Sequence, residues 1–75
     1  MKPTKKFSAG AISATVWTNP TKDADGEYNT ISLERNYKDS EGNWKSTTTL
    51  RTSDLPRASL VLGKAYEFLS LKQEV

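Results

Sequence analysis

The clearest pattern in the chain lies near its middle, where apolar and polar residues alternate. Apolar side chains recur at Ile31, Leu33 and Tyr37, with the two-residue period of a strand that buries one face. A turn sequence, Asp39-Ser-Glu-Gly, follows and ends at Gly42, which can take the positive φ of a tight loop. A second arm rich in Thr, a β-branched strand former, returns after this turn. The pattern predicts a β-hairpin with a four-residue loop.

The register of this hairpin follows from its apolar residues, because a shift by one residue sends every side chain to the opposite face. Pairing Lys38 with Asn43, and so Tyr37 with Trp44, places the apolar residues of both arms on one face. A register shifted by one would bury Lys45 and expose Trp44, so we predict the first register. The opposite face then carries polar and basic residues: Thr30, Ser32, Glu34, Asn36, Lys38, Asn43, Lys45, Thr47, Thr49 and Arg51.

A further strand is predicted before the hairpin, over residues 7–18. Its inward positions are Ile12, Ala14 and Val16. Alternation then puts Trp17 on the opposite face, and Gly10 marks a bulge or bend. Residues 19–26 form a loop, in which Asp23 and Asp25 lack the ligand spacing of a calcium site and are interpreted as turn residues.

A C-terminal helix is predicted from Asp54 to about residue 72. Asp54 suits the N-cap and Pro56 is tolerated in the first turn. One stripe at helical spacing packs on the sheet: Ala58, Val61, Leu62, Ala65, Phe68 and Leu69. Leu60 and Leu71 project from the other side, and we expect them to contact a second copy of the chain.

These elements predict an α+β fold, with an antiparallel sheet of three or four strands followed by one C-terminal helix. Residues 7–75 form a single domain, preceded by a flexible basic arm over residues 1–6 that carries Lys2, Lys5 and Lys6. A chain of 75 residues buries only about 60% of its unfolded surface. Because the chain contains no Cys and no His, disulfides and the common zinc sites are excluded, and a homodimer is the expected means of stabilisation.

The composition also limits the function. No apolar run approaches the roughly 20 residues of a membrane span, so we expect a cytoplasmic protein, associated with the nucleoid if its source is prokaryotic or viral. Without His or Cys there is no common base for a nucleophile, and there is no Gly-rich phosphate loop. We therefore expect neither an enzyme nor a bound cofactor or metal.

The polar face of the predicted sheet is the candidate functional surface. It combines cations and hydroxyl groups with aromatic rings that the alternation keeps out of the core. Such a surface suits single-stranded nucleic acid, because bases stack on the rings while cations and hydroxyls contact phosphates. The candidate binding residues are Trp17, Tyr28, Lys38, Lys45, Thr47, Thr49 and Arg51, with Lys5 and Lys6 from the basic arm.

The hairpin resembles that of transcriptional coactivators of the positive cofactor four type, which are small single-stranded-DNA-binding proteins. The resemblance rests on the alternating strand from Ile31 to Tyr37, the Asp39-Ser-Glu-Gly turn, Trp44-Lys45 and the single C-terminal helix. It implies a curved antiparallel sheet, dimerisation through helices and strands, and single-stranded DNA lying across the sheet. By position it implies a DNA-binding role for Lys45 above all. The chain lacks that family's long Ser/Lys-rich regulatory region, so a coactivator role does not follow.

We therefore predict sequence-tolerant binding of single-stranded DNA, with RNA as a second candidate, in replication, repair, recombination or transcription. The chief alternative is a protein-interaction module that uses the same face or an exposed sheet edge. A small OB-like barrel is a third possibility, which would also bind single strands but needs about five strands.

Overall fold

The computed structural model of the protein describes residues 2–22 and 26–71. It contains four strands, a 3-10 turn and one helix: β1 (Lys2–Ala9), β2 (Ile12–Pro20), β3 (Glu27–Lys38), β4 (Trp44–Thr47), the 3-10 turn Thr52–Asp54 and α1 (Leu55–Ser70). The strands form one antiparallel sheet in the order β1-β2-β3-β4. The predicted α+β fold with a C-terminal helix is confirmed. The sheet is open, so the described strands do not form the alternative barrel.

Two strands replace the single one predicted over residues 7–18. Gly10 lies in the short turn between β1 and β2 with a φ of 61°, a backbone conformation that residues other than Gly adopt only with strain. β1 pairs with β2 as far back as Lys2, which lies opposite Thr18. Residues 2–6, predicted as a flexible arm, therefore belong to an edge strand. The Lys and Pro residues of this strand interrupt the alternation of apolar and polar residues by which a strand is predicted. They also discourage pairing of the edge with another chain.

Some predicted features fall outside the described residues. These are Met1, the acidic pair Asp23 and Asp25, and the end of the predicted helix near Lys72.

The core lies between β2 and α1. Ile12, Ala14 and Val16 are fully buried, as predicted from the alternation. From the helix, Ala58, Val61 and Ala65 are buried. Phe7 and Leu33 pack at the margins of this cluster, on the strands either side of β2. We call the side of the sheet toward α1 the covered face. Among the residues that the structure describes, three of the six buried apolar side chains are alanine, so the core is small.

The helix buries a narrower stripe than the sequence predicts. Leu62, Phe68 and Leu69 belong to the predicted stripe but remain exposed. Phe68 still contacts the sheet through an edge-to-face arrangement with Phe7, their ring centroids 6.0 Å apart. Leu62 and Leu69 remain exposed because α1 packs over β1 and β2 and barely reaches β3. The flank of α1 that bears Leu62 and Leu69 therefore extends beyond the core.

The predicted hairpin register is wrong by one residue. Lys38 lies opposite Trp44 and Tyr37 opposite Lys45. The turn explains this shift: the Asp39 N–H donates to Asn43 O at 2.9 Å, which leaves three loop residues rather than the four predicted. Such loops join a type I turn to a residue with positive φ, here Gly42 at 85°.

The shift reverses the faces of β4 but not those of β3. Directly opposite residues share a face, so Trp44 joins Lys38, while Lys45 and Thr47 join Tyr37 and Arg35 on the covered face. Trp44 is 70% exposed, whereas the predicted register buried it. The strand also ends at Thr47, short of Thr49 and Arg51, which the predicted hairpin placed on its polar face.

Two truncations test the observed register. Ile12→Ala removes a fully buried side chain and should cost about 2–5 kcal/mol of unfolding free energy. Trp44→Ala removes a larger but exposed side chain, and should cost about 1 kcal/mol or less. Urea unfolding followed by circular dichroism measures both. Equal losses of several kcal/mol of unfolding free energy would mean that Trp44 is a core residue. The hairpin would then pair in the register predicted from the sequence, with Tyr37 opposite Trp44.

Candidate nucleic-acid interface

The surface of interest is the side of the sheet away from α1, which we call the open face. Its residues follow from the strand pairing: Pro3, Lys6, Ser8, Ser13, Thr15, Trp17, Asn19, Tyr28, Thr30, Ser32, Glu34, Asn36, Lys38, Trp44 and Ser46. Of these, Ser13 and Asn19 are buried. Across the described residues, Glu34 is the one acidic side chain in this set. Apart from Glu34 and Pro3, the face consists of hydroxyl, amide, aromatic and lysine side chains. This is the polar surface that the alternation in β2 and β3 predicts.

Three aromatic side chains lie on the open face. Trp17 is half-buried, and its indole N–H donates to Ser32 Oγ at 2.9 Å, a hydrogen bond that orients the ring across β2 and β3. Tyr28 is 52% exposed toward one end of the sheet, and Trp44 projects at the other. Along β3, the pairing partners of Trp17 and Trp44 are eight residues apart, which spans roughly 26 Å of strand. The three rings are thus distributed along the length of the open face.

Two of the predicted lysines lie on the same face as these rings. Lys38 Nζ is 5.7 Å from the centroid of the Trp44 ring, within reach of a cation–π interaction. Lys6 lies opposite Thr15, next to the centre of the face. Both are exposed, and neither has an ion-pair partner among the described residues. Their charges are available to an anionic ligand.

Lys45 is placed differently from the prediction. The one-residue shift puts it on the covered face, where its Nζ lies 3.4 Å from Asp39 Oδ2. Asp39 is itself held by the turn, accepting hydrogen bonds from the backbone N–H groups of Asn43 and Glu41 at 2.9 Å each. The Asn43 hydrogen bond is the main cause of the lowered pKa of Asp39, and Lys45 adds to it. Lys45 thus supports the turn.

Arg51 also has a partner within the chain. Its backbone N–H donates to Asp54 Oδ2 at 2.8 Å, and its Nε and Nη2 lie 3.3 Å from the two carboxylate oxygens. Arg35 Nε lies 3.5 Å from the same carboxylate and donates to Thr49 O. The Arg51 side-chain hydrogen bond is the main cause of the lowered pKa of Asp54. This cluster joins β3 to the start of α1, so Arg51 acts at a structural junction.

The remaining predicted residues are also away from the open face. Thr47 lies on the covered face, and its Oγ1 accepts a hydrogen bond from the backbone N–H of Thr49. Thr49 follows the end of β4 and lies on no strand. Lys5 lies opposite Val16 on the covered face, with its Nζ 5.8 Å from the centroid of the Phe7 ring. Of the nine predicted residues, the structure brings together Trp17, Tyr28, Lys38 and Lys6.

The structure contains a groove beside Trp44 that the sequence pattern does not predict. It has a volume of about 500 Å³ and is lined by Gly10, Ala11, Asn36 and Trp44. The Asn36 N–H donates to Ala11 O at 2.8 Å, which draws the β1–β2 turn against β3 and forms one wall. The exposed Trp44 ring provides the other. The signal in the sequence is Gly42, which allows a three-residue loop. The number of loop residues determines the face of the sheet on which Trp44 lies.

Comparison with protein-family models, curated proteins and solved structures finds no match to the chain. Its chemistry is therefore inferred from the side chains of the open face. Within the described ranges, no three acidic, His or Cys side chains are grouped to hold a metal ion. Across residues 2–22 and 26–71, no helix has the length and apolarity that crossing a membrane requires.

Proposed function

We propose that the protein binds single-stranded DNA across the open face of its sheet, largely without regard to sequence. RNA is a second candidate ligand, because neither stacking nor phosphate contacts require a deoxyribose. Replication, repair, recombination and transcription all generate such strands, and a cytoplasmic location belongs to the proposal. The observation that supports it is that Trp17, Tyr28 and Trp44 share one face with lysines that make no ion pair within the described residues.

The division of charge between the two faces also supports this function. Asp39 and Asp54 pair with Lys45, Arg35 and Arg51, away from the open face. Lys6 and Lys38 are left to interact with phosphates. Each stacked base is worth about 1–3 kcal/mol, and every base has a π-face, so aromatic rings bind single strands with little sequence preference.

The edge of the sheet is less suited to the alternative, a protein-interaction module that adds a strand. β1 forms one edge and carries Lys2, Pro3, Lys5 and Lys6. Charged residues and Pro on an edge oppose pairing with another chain. The other edge, β4, has only four residues. Both edges are therefore poor templates for strand addition.

A homodimer is part of the proposal, because the core is small and one flank of α1 is apolar and exposed. Leu62, Tyr66 and Leu69 are spaced i, i+4 and i+7, so they form one stripe, and Tyr66 is 72% exposed. The residues singled out from the sequence, Leu60 and Leu71, are exposed too. They flank the ion pair of Lys64 and Glu67, however, and form a less continuous apolar surface. We therefore assign the contact to the Leu62 flank.

The salt dependence of oligothymidine binding tests the proposed function with a matched pair of variants. Lys38→Ala should lower the slope of log affinity against log salt concentration by about 0.7, the value for one phosphate contact to a single strand. Lys45→Ala removes the same charge from the same hairpin, but on the covered face, and should leave the slope unchanged. Fluorescence anisotropy at several salt concentrations measures both slopes.

Two results would refute this assignment. One is an absence of oligothymidine binding at low salt, which would rule out the proposed function itself. Alternatively, Lys45→Ala would change the slope while Lys38→Ala would not, which moves the phosphates to the covered face.

Sedimentation equilibrium tests the dimer. The wild-type chain should have about twice its own mass at micromolar concentration, and its melting temperature should rise with concentration. Tyr66→Glu places a charge in the proposed contact and should give monomer. Leu60→Glu makes the same kind of change on the opposite side of α1 and serves as the control. A wild-type monomer whose stability is independent of concentration would contradict the proposal.

A further inference from the structure

The groove between Trp44 and the β1–β2 turn has features that the open face as a whole lacks. Its volume of about 500 Å³ falls within the range of small-molecule pockets, about 300–1,000 Å³. One wall is a large aromatic ring and the other is backbone of Gly10 and Ala11. Asn36 lies between them. A flat, partly polar group fits such a slot better than an aliphatic chain does.

Lys38 and Trp44 are arranged so that one face of the indole remains for a ligand. The Lys38 ammonium lies over the ring, 5.7 Å from its centroid. A cation on one face holds the ring in place and leaves the opposite face for a second π-system. Because Lys38 is paired directly with Trp44, its charge lies beside the ring on which the ligand would stack.

Asn36 supplies hydrogen-bonding groups to the groove. Its backbone is fixed by the hydrogen bond to Ala11 O, and its side chain lies on the open face opposite Ser46. The side-chain amide has no hydrogen-bond partner within the described residues. An amide presents a donor beside an acceptor, which matches the edge of a nucleobase.

A second cation, Arg57 of α1, lies against the β1–β2 turn, although it does not line the groove. A Cβ atom at Gly10 would lie 3.1 Å from Nη1 of Arg57, so that guanidinium rests against the turn. Arg57 makes no ion pair within the described part of the chain. Positive charge thus lies beside Trp44, from Lys38, and against the β1–β2 turn, from Arg57.

We propose that this groove captures one unpaired nucleobase of the bound strand, stacked on Trp44 with its edge at the Asn36 amide and its phosphate near Lys38. This inference deepens the proposed single-strand binding and rests on it. It makes the end of the sheet near the hairpin turn a base-binding subsite, distinct from the phosphate contacts along the rest of the open face.

The test compares oligothymidine with a fully abasic oligomer of the same length, which retains every phosphate but carries no base. The measured quantity is the ratio of the two affinities at one salt concentration. In Trp44→Ala this ratio should fall about 5- to 150-fold, the loss expected for one stacked base. Trp44→Phe keeps an aromatic ring and should retain most of it. Asn36→Ala should lower the ratio about 2- to 12-fold, as for one hydrogen bond.

The outcomes separate this inference from the proposed function. If Trp44→Ala leaves the ratio unchanged while both oligomers still bind with a steep salt dependence, the groove is not a base subsite, although the strand still binds the open face. If neither oligomer binds the wild-type protein at low salt, both proposals fail. Because Trp44 is exposed, the variant should fold, and its circular dichroism spectrum and melting temperature verify this.

Discussion

The turn between β3 and β4 is the constraint on which the candidate site depends. Three loop residues close between Asp39 and Asn43, and this closure requires a positive φ at Gly42. The Asp39 carboxylate fixes the loop by accepting two backbone N–H groups. Because side chains alternate along a strand, one residue more or fewer in this loop would exchange the positions of Trp44 and Lys45. The position of the exposed ring and its groove is thus determined by a few atoms of the turn.

The charged side chains of the hairpin and the start of α1 are divided between the two faces of the sheet. The carboxylates of Asp39 and Asp54 are satisfied by backbone groups and by nearby cations, which ties the hairpin turn and the start of α1 to the sheet. Lys45 and Arg51 are engaged there. Lys38 instead lies beside a ring on the other side of the sheet. A cation that already has a carboxylate partner must lose it before it binds phosphate, whereas Lys38 has no such cost among the described residues.

Much of the fold could be predicted because its central strands follow simple rules. The alternation at Ile12, Ala14 and Val16 gives both the buried face of β2 and the opposite position of Trp17. The spacing of Ala58, Val61 and Ala65 gives the buried stripe of α1. These residues are surrounded by neighbours, so burial dominates their pattern. On β3 the alternation likewise separates Leu33 from Lys38.

The predictions that were wrong concern β1 and β4, where burial does not determine the order of apolar and polar residues. β1 is an edge strand with exposed lysines, so its residues 2–6 carry no apolar period. β4 is short and mostly exposed, so matching Trp44 with Tyr37 was a poor guide to its register. Backbone hydrogen bonds in the turn decide it instead. A general preference for burying Trp was therefore outweighed by local loop geometry.

In the proposed mode of binding, a single strand lies across the open face. Titration of the ¹⁵N-labelled protein with oligothymidine, followed by two-dimensional NMR, tests it most directly. We expect the indole N–H signals of Trp17 and Trp44 and the backbone signals of Ser32 and Lys38 to shift together and to saturate. Signals from the Tyr66 flank of α1 should stay in place. Shifts confined to α1, or no shifts at low salt, would contradict the account.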